Sequence, residues 1–156
     1  PARVSLDAAF REHRVQKRYL AVVRGQPPES GERRSYLVLK EKRRGREIWG
    51  TGRGADAVQA ITAYRRVTVI GKHASLMRVE PATGRHHQIR IHFAEMGHPL
   101  FGDALYGDRA DPVHCRRHAL HAEALSMVHP ATGKELSIAA PRPADLDELI
   151  TRLKAR

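Results

Sequence analysis

From Thr83 to His92 the chain reads Thr-Gly-Arg-His-His-Gln-Ile-Arg-Ile-His, and it runs on to Gly97-His98-Pro99-Leu100-Phe101-Gly102-Asp103. Arg85, His86, His87, Gln88, Arg90 and His92 share eight consecutive positions. Guanidinium and imidazole groups at that density suit an anion, either phosphate or carboxylate. The same stretch carries Ile89, Phe93 and Met96 at i, i+4 and i+7, the apolar stripe of a short amphipathic helix. Gly97 falls where such a helix stops in a left-handed conformation. Gly84 relaxes the backbone just ahead of the helix and leaves N–H groups available to an anion.

Other elements must hold that stretch in place. Ser5 is a candidate cap for a short helix with Leu6, Ala9, Phe10 and His13 on one face and Asp7 in its first turn. Tyr19 to Val23 is apolar on both parities, which predicts a strand buried on both faces, closed by Gly25 and the Pro27-Pro28 turn. Ser35 to Leu39 is a further short strand, and Lys40 to Arg46, with five cations and one acid, is expected as a charged loop. Gln59 to Ile70, with Ile61, Ala63 and Tyr64 packing, turns at Gly71 into Ala74 to Glu80, a hairpin. Ala119 to Val128 and Leu136 to Ala139 read as strands. Leu146, Leu149, Ile150 and Leu153 mark a C-terminal helix opened by Pro143. Strands outnumber helices without βα alternation. The expected architecture is therefore α+β, a largely antiparallel, twisted mixed sheet flanked by a few short helices, in a single domain over 1–156.

Charge narrows the partner. The 156 residues contain 28 Lys and Arg against 17 Asp and Glu, a formal charge of +11. That imbalance favours a polyanion, nucleic acid before an anionic membrane. Arg85, His86, His87 and Gln88, clustered where the helix begins, are placed to reach phosphates or base edges; Lys17, Arg18 and the Lys40 to Arg46 run add positive surface. Cys115 is the only cysteine, so no internal disulfide exists and a reducing cytoplasm is expected. No apolar run approaches the ~20 residues of a membrane span.

The central run, TGRHHQIRIH followed by GHPLFGDALYG, resembles motif III of the RluA-type pseudouridine synthases. Lys17 to Gly25 is similar to that family's K-x-Y-x-A-x-V-x-G strand, Ala60 to Tyr64 to its A-x-T-x-Y, Leu120-His121-Ala122 with His129-Pro130 to its L-H-A…H-P, and Ala140-Pro141 to its closing A-P. The resemblance implies an enzyme that isomerises uridine to pseudouridine in structured ribosomal or transfer RNA, with no metal and no organic cofactor; a cytoplasmic monomer is expected. In the family an aspartate of an H-R-L-D segment attacks the nucleoside, and the detached uracil turns and rejoins the ribose through C5. By motif position, Arg90 would keep that carboxylate ionised, and Tyr19 would lie against the uracil and remove the C5 proton.

No H-R-L-D segment occurs in these 156 residues. In the family it precedes the K-x-Y strand, so the chain is expected to be the C-terminal part of a synthase and, alone, to produce no pseudouridine. The rival expectation is a non-catalytic RNA-binding relative associated with ribosomal RNA. Asp7 lacks the motif's neighbours, and Asp103, within G-D-x-x-Y-G, is read as a turn-forming residue. His114-Cys115-x-x-His118-x-x-His121, and His86-His87 with His92, offer zinc-type ligands at spacings that fit no common structural site. Gly50-Thr51-Gly52-Arg53-Gly54 lacks the G-K-[ST] of a phosphate loop and reads as a flexible turn.

Overall fold

Seven strands hydrogen-bond into one sheet of order β3-β2-β4-β5-β1-β6-β7 in a computed structural model, and every neighbouring pair is antiparallel. The structure describes residues 2–12, 14–43, 45–107, 113 and 115–156. The strands are β1 (Gln16–Arg24), β2 (Ser30–Arg43), β3 (Arg46–Thr51), β4 (Val58–Ile70), β5 (Ala74–Pro81), β6 (Leu120–Val128) and β7 (Glu135–Ala139). Three helices accompany them: α1 (Ala2–Arg11), α2 (Gln88–Glu95) and α3 (Ala144–Lys154).

The doubly apolar run of β1 has a direct explanation. β1 is an inner strand between β5 and β6, covered on both faces. Ala21 and Val23 pack with Met77, Val79 and the Ile89 and Phe93 side chains of α2. Leu20 and Val22 pack with Leu76 and with Leu146, Leu149, Ile150 and Leu153 of α3. Each such aliphatic side chain contributes about 1.5–3 kcal/mol relative to exposure, so α3 is held by its stripe, as its spacing predicts. A bulge between Arg18 and Tyr19 marks where β1 passes from polar to apolar.

Four expectations are corrected. Lys40 to Arg46 is mostly strand: β2 and β3 form a long ribbon with Lys42 opposite Glu47, and only its tip turns, at Gly45 with φ +76°. Charged side chains are compatible with strands whose faces are open to water, and an ion pair from Lys42 to Glu47 (3.2 Å) adds a cross-strand contact. Residues 50 and 51 likewise close β3 instead of belonging to a turn. In the first half of β4 the fully buried side chains are Ala60 and Thr62, while Ile61 and Ala63 are half-buried, because the first two lie under α2; Ile70 is buried at the strand's other end. Helix α1 begins at Ala2, so Asp7 is beyond its first turn; Leu6 and Ala9 pack on Val15 and Met127, whereas Phe10 is exposed. His13 and the Ser5 side chain lie outside the described residues.

Candidate functional site

Helix α2 is fixed at both ends before any functional group is considered. At its C-terminus Gly97 adopts φ +80°, its N–H reaches Ala94 O, and the N–H of His98 reaches Phe93 O at 2.8 Å, a Schellman closure. The stripe of Ile89 and Phe93 faces β1 and β5, while Ile91 packs against Leu37 and Ala60 under β2 and β4. At the N-terminus His87 takes the left-handed region, φ +53°, which is uncommon for a residue with a Cβ.

Below that turn lies a buried polar network. Gln88 donates from Nε2 to Ile61 O and Thr62 Oγ1, both at 2.9 Å, and accepts at Oε1 from Thr83 Oγ1 (2.7 Å) and the Arg85 N–H (3.0 Å). The Ile61 N–H donates to Thr83 Oγ1 at 2.9 Å. Thr62 Oγ1 is also hydrogen-bonded to His92 Nδ1 at 2.9 Å, and His92 Nε2 to Ser35 Oγ at 2.9 Å, so one ring nitrogen donates and the other accepts when the imidazole is neutral. Burial holds His92 near pKa 4, so the imidazole is neutral, as this arrangement requires. The network clamps the 83–87 turn to β4 and thereby sets where Arg85 and Arg90 emerge.

They emerge into a cleft of about 280 Å³ between the start of α2 and β1. Tyr19 and Arg90 both line it, together with Lys17, Arg85, His87 and His118. Burial raises the Tyr19 pKa, keeping the ring a neutral phenol. Lys17 is shifted down by burial and then by repulsion from Arg85, and its ammonium donates to Thr83 O at 3.3 Å. His87 is pushed down to about 4 by burial and by Arg90, and His118 is lowered for the same two reasons. At neutral pH the cleft's positive charge is therefore that of Lys17, Arg85 and Arg90, and no carboxylate is among its described lining residues.

Arg90 is held from behind. Its Nε and Nη2 donate to Asp103 at 2.8 and 2.7 Å, and its guanidinium lies 5.1 Å from the centre of the Tyr106 ring. Asp103 also accepts the N–H groups of Leu105 and Tyr106, each at 3.0 Å. Burial alone would raise the Asp103 pKa, but the Arg90 hydrogen bonds and these backbone donors bring it below the ordinary value. Asp103 is thus a turn residue, as expected, and in addition the partner that orients Arg90. Tyr106 is a second brace: its hydroxyl accepts the Trp49 N–H at 3.1 Å and is hydrogen-bonded to His87 Nδ1, also at 3.1 Å.

Not every expected residue joins the cleft surface. Gln88 borders the cavity but is buried and fully engaged by the protein, so it positions the turn and does not reach outward. Arg18 lies away from the cleft and pairs with Glu123 at 2.8 Å. His86 is exposed, its ring 3.8 Å from that of His87. His118 stood out in the sequence only as part of a zinc-type set, Tyr106 only as the tyrosine of the D-x-x-Y-G run, and Trp49 had no signal. Among the described residues the Cys and His sets do not converge: Cys115 Sγ donates to Arg117 O, His118 lines the cleft, and His121 Nε2 is 3.2 Å from Ala140 O, while His114 lies outside the described residues.

A family model described as RNA pseudouridylate synthase matches residues 2–95. A ribosomal large subunit pseudouridine synthase D of Zymomonas mobilis is 36% identical over 161 residues, covering 98% of this chain and 50% of the relative. An uncharacterized RNA pseudouridine synthase of Chloroflexus aurantiacus is 38% identical, with 92% and 44% covered, and a ribosomal large subunit pseudouridine synthase D of Haemophilus ducreyi 34% identical, with 99% and 50% covered. The chain spans about half the length of these curated relatives. Among solved structures, human RNA pseudouridylate synthase domain containing 4 superposes with TM-score 0.76 at 22% identity, over 97% of this chain and 67% of that one, which establishes a shared fold. Human RNA pseudouridylate synthase domain containing 1 gives 0.72 at 25% identity, over 98% and 71%.

Proposed function

The chain belongs to the RNA pseudouridylate synthase family, and from that membership we propose that it supplies the substrate-holding wall of a site that isomerises uridine to pseudouridine in structured RNA. Ribosomal RNA is the first candidate substrate, transfer RNA the second. The observation that carries the reading is one cleft lined by both Tyr19 and Arg90, with the cations Lys17 and Arg85 beside them and no acid among its described lining residues. A catalyst of this kind needs a carboxylate that stays ionised when enclosed, and a guanidinium held from behind by Asp103 is a fixed counter-charge for it.

In the proposed sequence a target uridine leaves its stack and enters the cleft, its backbone held by Lys17 and Arg85. The uracil lies against the Tyr19 ring. A carboxylate beside Arg90 attacks ribose C1′, the bond from N1 to C1′ breaks, and the ring turns so that C5 bonds to C1′ as the carboxylate leaves again. The C5 proton then leaves to a base. Burial keeps Tyr19 as the phenol, so serving as that base requires it to release its own proton as the C5 proton arrives; stacking requires no such change. Every step is displacement or proton transfer, for which side chains suffice without a metal or organic cofactor. The proposed setting is the cytoplasm, with the protein acting as a monomer. Among the described residues no helix is long and apolar enough to cross a membrane.

The attacking carboxylate is proposed to come from an H-R-L-D segment, which these 156 residues do not contain. The test uses ribosomal RNA tritiated at uridine C5 and measures tritium release. The 156 residues alone should release none. The full reading frame that encodes them should release tritium, and Arg90→Gln in that product should abolish it. Release by the 156 residues alone would overturn the missing carboxylate. RNA binding without release by the full product would make the protein a non-catalytic RNA-binding relative.

A further inference from the structure

A second cavity, about 530 Å³, opens on the far side of the residues that close the Tyr19 cleft. The two cavities share His87, Arg90 and His118 as a common wall. The second is bounded by the tip of the β2–β3 ribbon, at Arg46 and Glu47, and by the turn at Gly102 to Leu105. Two of its lining residues, His86 and His87, belong to a chain of flat rings: Trp49 lies 6.0 Å from His86, His86 lies 3.8 Å from His87, and His87 meets Tyr106 edge-on at 5.5 Å.

The rings are arranged at a conformational cost. His87 holds φ +53°, and this turn sets His86 outward while His87 faces in. Trp49 is seated by packing against the Leu37, Ala60 and Ile91 cluster, by its Nε1–H to Glu47 (3.1 Å), and by its backbone N–H to Tyr106. His86 thus offers an exposed imidazole, backed by His87 and flanked by the tilted indole of Trp49 (47°), as a surface on which a planar group can stack. Arg46, exposed at the ribbon tip, adds positive charge beside it.

We propose that this second cavity binds the nucleotide adjoining the target uridine in single-stranded form, its base stacked on His86 beside Trp49 and its phosphate facing Arg46. The inference rests on the RNA-modifying reading above and extends it to a subsite. The shared wall gives the geometry its point: a nucleotide entering the Tyr19 cleft brings its neighbour to the other face of His87 and Arg90. Stacking on aromatic faces tolerates any base, so the subsite would add affinity and strand register without reading sequence.

Trp49 is the only tryptophan and its ring lies 6.0 Å from that of His86, so its emission reports on the surroundings of His86. The 156-residue chain is titrated with a pentauridylate at low salt, and Trp49 fluorescence is followed. Quenching is expected, with affinity about tenfold weaker in His86→Ala, the loss that removing one stacked base brings. His86 is exposed, so this variant keeps its packing; Arg46→Ala provides an independent variant and should weaken binding and make its salt dependence shallower. An abasic pentamer of equal charge should quench little. Equal quenching by the abasic strand or by heparin, or an unchanged affinity in His86→Ala, overturns base stacking here. In the full reading frame, His86→Ala should raise KM for tritium release with kcat held, the mark of uniform binding. Quenching without any tritium release would sink the proposed reaction and leave the subsite; release with an unaltered KM would do the reverse.

Discussion

Replacing Asp103 by Asn tests the reasoning about Arg90 most directly. Asp103 accepts four hydrogen bonds, two from the guanidinium at 2.8 and 2.7 Å and two from the N–H groups of Leu105 and Tyr106 at 3.0 Å. Its side chain is 1% exposed and that of Arg90 12%. Asparagine keeps the size and one oxygen for the backbone donors, but it presents an NH2 to the guanidinium, donor against donor. Breaking a buried pair on one side costs about 3–5 kcal/mol, chiefly because the remaining charge is left uncompensated. Total stability for a domain is about 5–15 kcal/mol, so the variant should remain folded with a large part of its margin gone. In urea, with a slope of about 2 kcal/mol per molar, the midpoint should fall by roughly 2 M. Acid provides the second readout. The Asp103 carboxyl titrates below its ordinary 3.8 in the folded chain, so its contribution is complete above that value and is lost as pH falls through the lower, folded one. The gap between wild type and variant should therefore close on acidification below pH 3.8. A midpoint shift under about 0.5 M, or a gap that persists undiminished in acid, refutes the account of Arg90 as a guanidinium oriented by a buried charge.

Gln88→Leu should destabilise the chain by at least about 2 kcal/mol in denaturant unfolding, because Ile61 O, the Thr62 and Thr83 hydroxyls and the Arg85 N–H lose a buried partner together; a neutral effect would mean that water reaches the network. His92, ordinarily near 6.5 and held at about 4, binds fewer protons folded than unfolded between those values. Stability should accordingly decline as pH drops below 6.5 and level off under 4, by roughly 3 kcal/mol from this group, and NMR of its ring should show no protonation at pH 5; a His92 titrating near 6.5 contradicts the burial argument. Tyr19→Phe in the full reading frame should keep RNA affinity and lose tritium release, and wild-type turnover in that variant removes the base role. Binding of single-stranded RNA should weaken with a log–log salt slope of about −2, for three cations in the cleft, each displacing roughly 0.7 counterion; a slope near zero excludes phosphate contacts there.

Local periodicity in the sequence was enough to mark α2, from Ile89, Phe93 and Met96 with Gly97 behind them, because burial against one face and a left-handed stop are properties of a single segment. The same holds for β1, whose apolar run already required cover on both faces, and for α3. Tyr19 and Arg90 could be named from motif resemblance, since each sits at a fixed place in a run of specific residue types. What a segment cannot show is its partner. Whether Gln88 would face out to RNA or in toward Thr62 depended on which strand lay beneath it, and β4 supplied acceptors 27 residues away. The basic run from Lys40 to Arg46 looked like a loop because charge hides pairing, and only the facing β3 made it a ribbon. His118, Trp49 and the double duty of Asp103 became visible only when the chain closed on itself. A cleft with one sign of charge is a sum over elements distant in sequence, and that sum exists only in the folded molecule.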